Sequence, residues 1–200
     1  MHAEDLIASE RRDLMALVLA KVKRGDRLAG ELLACSGRQA LVPRVVELLP
    51  LLCSLAHMLR PTLGERIDVT VHVADDCPPC QVDEQALEEA LINLAINARD
   101  AMLPLRRGHL QLAARRVTPA TGAPTVALTL VDSGIGIARD LAQCPELPFY
   151  STKANDPLYG LGLAAVEAFV RQSGGSMQLQ AWTGAGTSVT LYLPCAERER

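Results

Sequence analysis

Val126-Ala127-Leu128-Thr129-Leu130-Val131-Asp132-Ser133-Gly134-Ile135-Gly136 is an apolar run that ends on a carboxylate and then breaks on two glycines. Six β-favouring or small apolar positions in a row read as a strand buried on at least one side. That strand delivers Asp132 to its end. A carboxylate held there accepts a hydrogen bond from an exocyclic amino group such as that of adenine. Gly134 and Gly136 let the chain turn sharply and leave room for a flat ring to approach. Taken alone, the same letters also describe an ordinary Asp-x-Gly turn.

Upstream, Glu88-Glu89-Ala90-Leu91-Ile92-Asn93-Leu94-Ala95-Ile96-Asn97-Ala98-Arg99-Asp100 has helical periodicity. Leu87, Leu91, Leu94, Ala98 and Ala101 make an i, i+3/i+4 stripe for a core. Glu89, Asn93, Asn97 and Asp100 make a second stripe of oxygen-bearing side chains, one turn apart. Asparagine costs about 0.5–0.7 kcal/mol against alanine inside a helix, so two of them in an Ala/Leu helix suggest a use. Amide and carboxylate oxygens suit Mg²⁺, which binds through few protein ligands plus waters and phosphates. A solvated polar face is the alternative reading. Downstream, Gly160-Leu161-Gly162-Leu163 opens a helix whose free N–H groups and dipole favour an anion, with triphosphate the natural ligand. Phe149 to Pro157 before it has the makeup of a lid, and Lys153 is placed to reach phosphate. For these pieces the alternatives are backbone crowding and a solvated lysine.

Around these pieces the chain alternates elements without regular βαβ order. Residues 4–36 lack proline and predict a long helix, with Ile7, Leu14 and Leu28 at heptad spacing beside Val18 and Leu32. Arg11, Lys21 and Gly25 interrupt those stripes, and an apolar face with nothing before it to pack on predicts a homodimer. Leu41 to Leu48 reads as extended connection. Pro50 suits the first turn of a helix that runs to about Arg60 and ends before Pro61. Ile67, Val69, Val71 and Val73 alternate with polar residues, as in a half-buried strand. Asp83 caps a helix through Met102. Leu110-Gln111-Leu112 forms a further strand, Ser173-Gly174-Gly175 stops the helix begun at Gly160, and Met177–Trp182 with Thr187–Leu193 makes a hairpin across Gly184-Ala185-Gly186. The expected fold is α+β: a two-layer sandwich of mixed, mostly antiparallel sheet with helices on one face, preceded by the long helix. Residues 1–40 form the helical unit and 41–200 the second domain.

Composition sets the bounds. The 200 residues are 49% hydrophobic but only 3% aromatic, so one full core must be built from Leu, Val, Ile and Ala. Net charge is −3 and no Lys/Arg run exceeds two residues, which argues against a nucleic-acid footprint. No stretch approaches the roughly 18–20 apolar residues of a membrane span, and acids occupy the N-terminus, so a cytoplasmic setting without membrane contact is expected. The six cysteines stand singly except for Cys77-Pro78-Pro79-Cys80. That spacing invites a dithiol or zinc reading, yet no second ligand pair follows, and free thiols in a reducing compartment are the better expectation.

Taken together, the motifs resemble those of sensor histidine kinases. Asn93-Leu94-Ala95-Ile96-Asn97-Ala98-Arg99-Asp100-Ala101-Met102 is similar to their N box and Asp132-Ser133-Gly134-Ile135-Gly136 to their G1 box. Pro148-Phe149-Tyr150-Ser151-Thr152-Lys153 is similar to the F box and Gly160-Leu161-Gly162-Leu163 to the G2 box. Gly186-Thr187-Ser188-Val189-Thr190-Leu191-Tyr192-Leu193-Pro194 matches the closing strand, and the likeness runs from about residue 24 to 195. It extends to gyrase, heat-shock chaperone and mismatch-repair ATPases. The resemblance implies an ATP-binding catalytic domain of a two-component system, in which Asp132 binds the adenine amino group with Thr187 supporting it. It implies that Asn97, helped by Asn93, holds Mg²⁺, and that Lys153 and the amides from Gly160 to Leu163 embrace the phosphates. It also implies a response-regulator receiver domain as partner. Two departures stand out: Leu158-Tyr159 replaces a further lid glycine, and no phosphoacceptor histidine is present. His57 only imitates one, because Met58 stands where an acid normally follows and Pro61 breaks the helix. His2 lies too near the terminus. The γ-phosphoryl group would therefore pass to a histidine outside this chain, with no catalytic residue here. The alternative is a non-catalytic dimeric adaptor or relic kinase that docks a response regulator or relays phosphate without using ATP.

Overall fold

The computed structural model describes residues 40–105, 107–118, 124–136 and 161–196. A short strand β1 (Arg44–Val46) leads into helix α1 (Leu48–Leu63), strand β2 (Ile67–Val73), strand β3 (Cys80–Val82) and helix α2 (Glu84–Met102). Strands β4 (Gly108–Val117) and β5 (Thr125–Asp132), helix α3 (Leu161–Gln172) and the hairpin β6 (Ser176–Trp182) and β7 (Gly186–Pro194) complete the order. The main sheet has five strands in the order β2-β4-β5-β7-β6, and β1 pairs with β3 in a separate two-stranded ribbon. Only the β2–β4 pair is parallel.

Register explains why helices cover one face alone. Residues opposite one another share a face. Val71, Leu112, Leu130, Val189 and Leu179 form one cross-sheet row, and Val73, Ala114, Leu128, Leu191 and Met177 the next. The intervening row on the other face reads His72, Ala113, Thr129, Thr190 and Gln178, with Thr129 and Thr190 hydroxyls hydrogen-bonded at 3.1 Å. The apolar rows lie under Leu52, Leu55 and Leu59 of α1, Leu87, Leu91 and Leu94 of α2, and Val166, Phe169 and Val170 of α3, all buried in one cluster. This is the two-layer α+β sandwich expected, with the dominant antiparallel pairing.

Several element bounds follow the expectations and several do not. Asp83 caps α2 through a 3.0 Å bond from the Ala86 amide to its Oδ1. Its other oxygen, Oδ2, accepts from the Val42 amide at 2.8 Å, so one carboxylate starts the helix and ties down the incoming chain. Helix α1, by contrast, begins at Leu48 and continues past Arg60 with Pro61 inside its last turn. A proline forfeits one hydrogen bond there, but its φ is already helical, and the final turn places Leu63 in the core. Gly64, at φ 85°, then closes the helix with its amide on the Arg60 carbonyl. Part of the expected connection 41–48 is strand β1, and strand β3 after the two prolines went unforeseen. Three-residue strands carry too little periodicity to be seen. Strand β4 runs to Val117, well beyond Leu112. The long helix expected over residues 4–36, and with it the 1–40 unit, lies outside the described residues. No described helix is long and apolar enough to cross a membrane.

Candidate nucleotide site

Strand β5 ends with Asp132 on the helix-covered face, in register with Leu110 and Thr187. At 6% exposure it is the one buried charged residue among those described. Oδ1 accepts from the Gly134 amide at 2.8 Å, and the Thr187 amide and hydroxyl also hydrogen-bond the carboxyl. Burial pushes the Asp132 carboxyl above its ordinary value, and the bonds from Gly134 and Thr187 offset part of that rise.

The loop after Asp132 is gripped by three elements. The Ser133 amide donates to the His109 carbonyl at 3.1 Å, and the His109 amide returns a 2.8 Å bond to Ser133 Oγ. The Ile135 amide donates to the Ala101 carbonyl in α2 at 3.1 Å, and the Gly184 amide of the β6–β7 turn donates to the Ile135 carbonyl at 2.8 Å. Gly134 lies so close to α2 that an added Cβ would stand 2.7 Å from Ala101 Cβ and from Asp132 Oδ1. Gly136 has φ +68° and faces the Trp182 carbonyl. Both glycines are therefore required by the chain's own packing, beyond the ring access that motivated them in the sequence. Gly186, which reads only as a turn residue, presses on the Asp132 backbone at φ +92°. Its role, like those of Ser133 and Ala101, depends on distant partners, so local spacing carries no signal for it.

On α2 the apolar stripe Leu87, Leu91, Leu94 and Ala98 is buried, with Ala101 at its margin, while the oxygen stripe stays outside the core. Asn93 is half-buried and Asn97 exposed. Asn97 is one turn before Ala101, about 6 Å along the axis at 1.5 Å per residue, and Ala101 grips the Asp132 loop. Asp100 receives Arg99 Nε at 3.3 Å and Nη2 at 3.1 Å, so a guanidinium accompanies that carboxylate. Helix α3 starts at Leu161 and packs beside α2, with Gly162 and Leu163 half-buried. Lys153 and Gly160 lie outside the described residues, as does the side chain of Leu161.

No three His, Cys, Asp or Glu side chains among the described residues form a metal cluster. The donors present on α2 are neutral amides one turn apart. Such a set fits Mg²⁺ held jointly with phosphate and water, and does not fit a closed protein cage.

A sheet covered on one side, carrying its buried acid at the rim where α2 ends, defines a nucleotide-binding α+β sandwich. Residues 82–197 match the histidine kinase-, DNA gyrase B-, and HSP90-like ATPases, and the chain belongs to this family. It is similar to the sensor kinase CckA of Brucella abortus, 32% identical over 181 residues, covering 86% of this chain and 19% of that protein. It is also similar to the sensor histidine kinase ZraS of Escherichia coli, 31% identical over 194 residues, 96% of this chain and 40% of that one. The chain thus spans well under half the length of these relatives. Among solved structures, full-length ShkA in complex with AMPPNP superposes with TM-score 0.74 over 96% of this chain and 40% of that one, at 24% identity. The Acinetobacter baumannii histidine kinase AdeS gives TM-score 0.70 over 93% of this chain and 84% of that one, at 19% identity.

Proposed function

We propose that this chain is the ATP-binding catalytic portion of a sensor histidine kinase, which passes the γ-phosphoryl group of Mg-ATP to a histidine outside this sequence. The observation that carries the reading is Asp132: a buried carboxylate at a strand end, held by Gly134 and Thr187, with no cationic partner among the described residues that would explain its burial as an ion pair. Adenine offers the donor such an acceptor needs. Asn97, helped by Asn93, holds Mg²⁺, which neutralises phosphate charge when bound. The amides from Gly160 to Leu163 and the Lys153 ammonium receive the phosphates, and Asp100 with its Arg99 partner borders that side of α2. Phosphoryl transfer depends mainly on positioning and charge neutralisation, which this set of groups supplies. ShkA, with the same fold, is described in complex with an ATP analogue. Dimerisation through the N-terminal helix and docking of a receiver domain complete the proposal, and a cytoplasmic location suits such partners.

A titration of the full chain with a fluorescent ATP analogue, with and without Mg²⁺, tests the reading. Saturable binding that tightens with Mg²⁺ is expected. Absence of binding, or binding unchanged in Asp132→Asn, would sink it. Incubation with labelled ATP should leave the chain itself unlabelled. His57 is exposed on α1, and label found there would overturn the assignment of the acceptor to another sequence.

A further inference from the structure

Cys77-Pro78-Pro79-Cys80 suggests a dithiol by spacing, but the fold gives Cys80 a different neighbour. Cys80 and Cys195 face one another across an isolated antiparallel bridge between β3 and the chain just after β7. The Ala196 amide donates to the Pro79 carbonyl at 2.8 Å, so residues 79 and 196 form the hydrogen-bonded pair. Cys80 and Cys195 are then the adjacent non-hydrogen-bonded pair, where opposed Cα atoms approach to about 4.5 Å and side chains share a face. Disulfides accept Cα separations of about 4.4–6.8 Å. Both cysteines are free thiols here; Cys80 is wholly buried and Cys195 half-exposed. No metal cluster forms among the described residues to claim them.

We propose that Cys80 and Cys195 are a redox-modification site, closed by a peroxide into a cross-strand disulfide that staples β3 to the end of β7. The more accessible Cys195 sulfur attacks a peroxide oxygen; the O–O bond breaks, one water leaves, and Cys195 becomes a sulfenic acid. The Cys80 sulfur then attacks the Cys195 sulfur, the S–O bond breaks as S–S forms, and a second water leaves. The two thiols lose two electrons and two protons, and hydrogen peroxide is reduced to two waters. Burial, with Cys77 and Cys195 nearby, pushes the Cys80 thiol up to about 12. The second step therefore speeds up as pH rises, because thiolate is the attacking form. Cys77 is a bystander: it is half-buried, and its Sγ rests on the Pro78 carbonyl at 3.7 Å. The staple stabilises without touching the nucleotide pocket, since Thr187 lies eight residues up β7 from Cys195, about 26 Å at roughly 3.3 Å per residue.

The full chain, freed of reductant, is treated with a small excess of hydrogen peroxide and digested without reduction for peptide mass mapping. The expected product is a Cys80–Cys195 linked peptide pair, with two thiols lost. The thermal midpoint should rise by roughly 5–10 °C, reversibly with dithiothreitol, with binding of the fluorescent ATP analogue unchanged. Cys77→Ser should keep the link and the shift, and Cys195→Ser should lose both. A Cys77–Cys80 or Cys77–Cys195 link, no link in the untouched chain, or the same shift in Cys195→Ser would overturn the proposal. The map of the native chain decides the matter even where a variant folds poorly.

Discussion

Burial of Asp132 sets a conflict between stability and binding. A carboxyl whose pKa is raised on folding is better tolerated protonated, so its unfavourable contribution is absent below the unfolded pKa and grows as pH rises through the folded one. At neutral pH the ligand-free chain therefore carries a cost at this position. Asp132→Asn is expected to leave the thermal midpoint of the ligand-free chain unchanged or raised, while weakening ATP-analogue binding at least about tenfold, the loss of one charged hydrogen bond. A fall in both would mean the carboxylate serves the fold instead. Gly134→Ala answers a different question. Its Cβ would meet Ala101 in α2, and overpacking of this kind costs about 1–3 kcal/mol, to be read from urea unfolding. The letters Asp132 to Gly136 announced a carboxylate and a sharp turn; they were silent on Ala101 and Gly186, whose contacts come from residues far along the chain.

Among the elements, α2 carries most of what positions the site, and it begins at Asp83. Burial pushes that carboxyl up, but bonds from the Ala86, Val42 and Gln85 amides and the nearby Arg44 charge outweigh this and hold it below its ordinary value. The sign is opposite to that of Asp132: the stabilisation is present above the unfolded pKa and lost as pH falls through the lowered folded one. Asp83→Ala should cost about 1 kcal/mol at pH 7, typical of an N-cap. Urea midpoints of the native chain and the variant should converge in strong acid. A gap that persists there would mean the carboxyl acts by packing. The cap was legible because Asp83 precedes a clear apolar period. The α1 end was not, because a proline in a last turn breaks the local rule while Leu63 gains the core.

Across the whole molecule, one apolar face on the sheet makes the core indivisible. Leu128, in the central row of β5 at 1% exposure, should cost about 2–5 kcal/mol when cut to alanine, measured by urea unfolding. Nucleotide binding should fall only with the folded fraction. A loss below 1 kcal/mol would place this row outside the core.

The amino-acid sequence by itself determined the longer described helices and strands, the one-sided sheet and the family motifs, because periodicity, caps and short motifs are local properties of neighbouring residues. Tertiary structure alone decided the strand order β2-β4-β5-β7-β6 and the grip of α2 and the β6–β7 turn on the Asp132 loop. It alone also turned Cys80 away from its sequence neighbour Cys77 toward Cys195. Apart from the chain-adjacent pairs β4–β5 and β6–β7, these pairings join residues far apart in sequence, up to 69 positions within the sheet (Thr125 to Pro194) and 115 for Cys80 and Cys195. Such partners are chosen by packing and hydrogen-bond register, which leave no local trace.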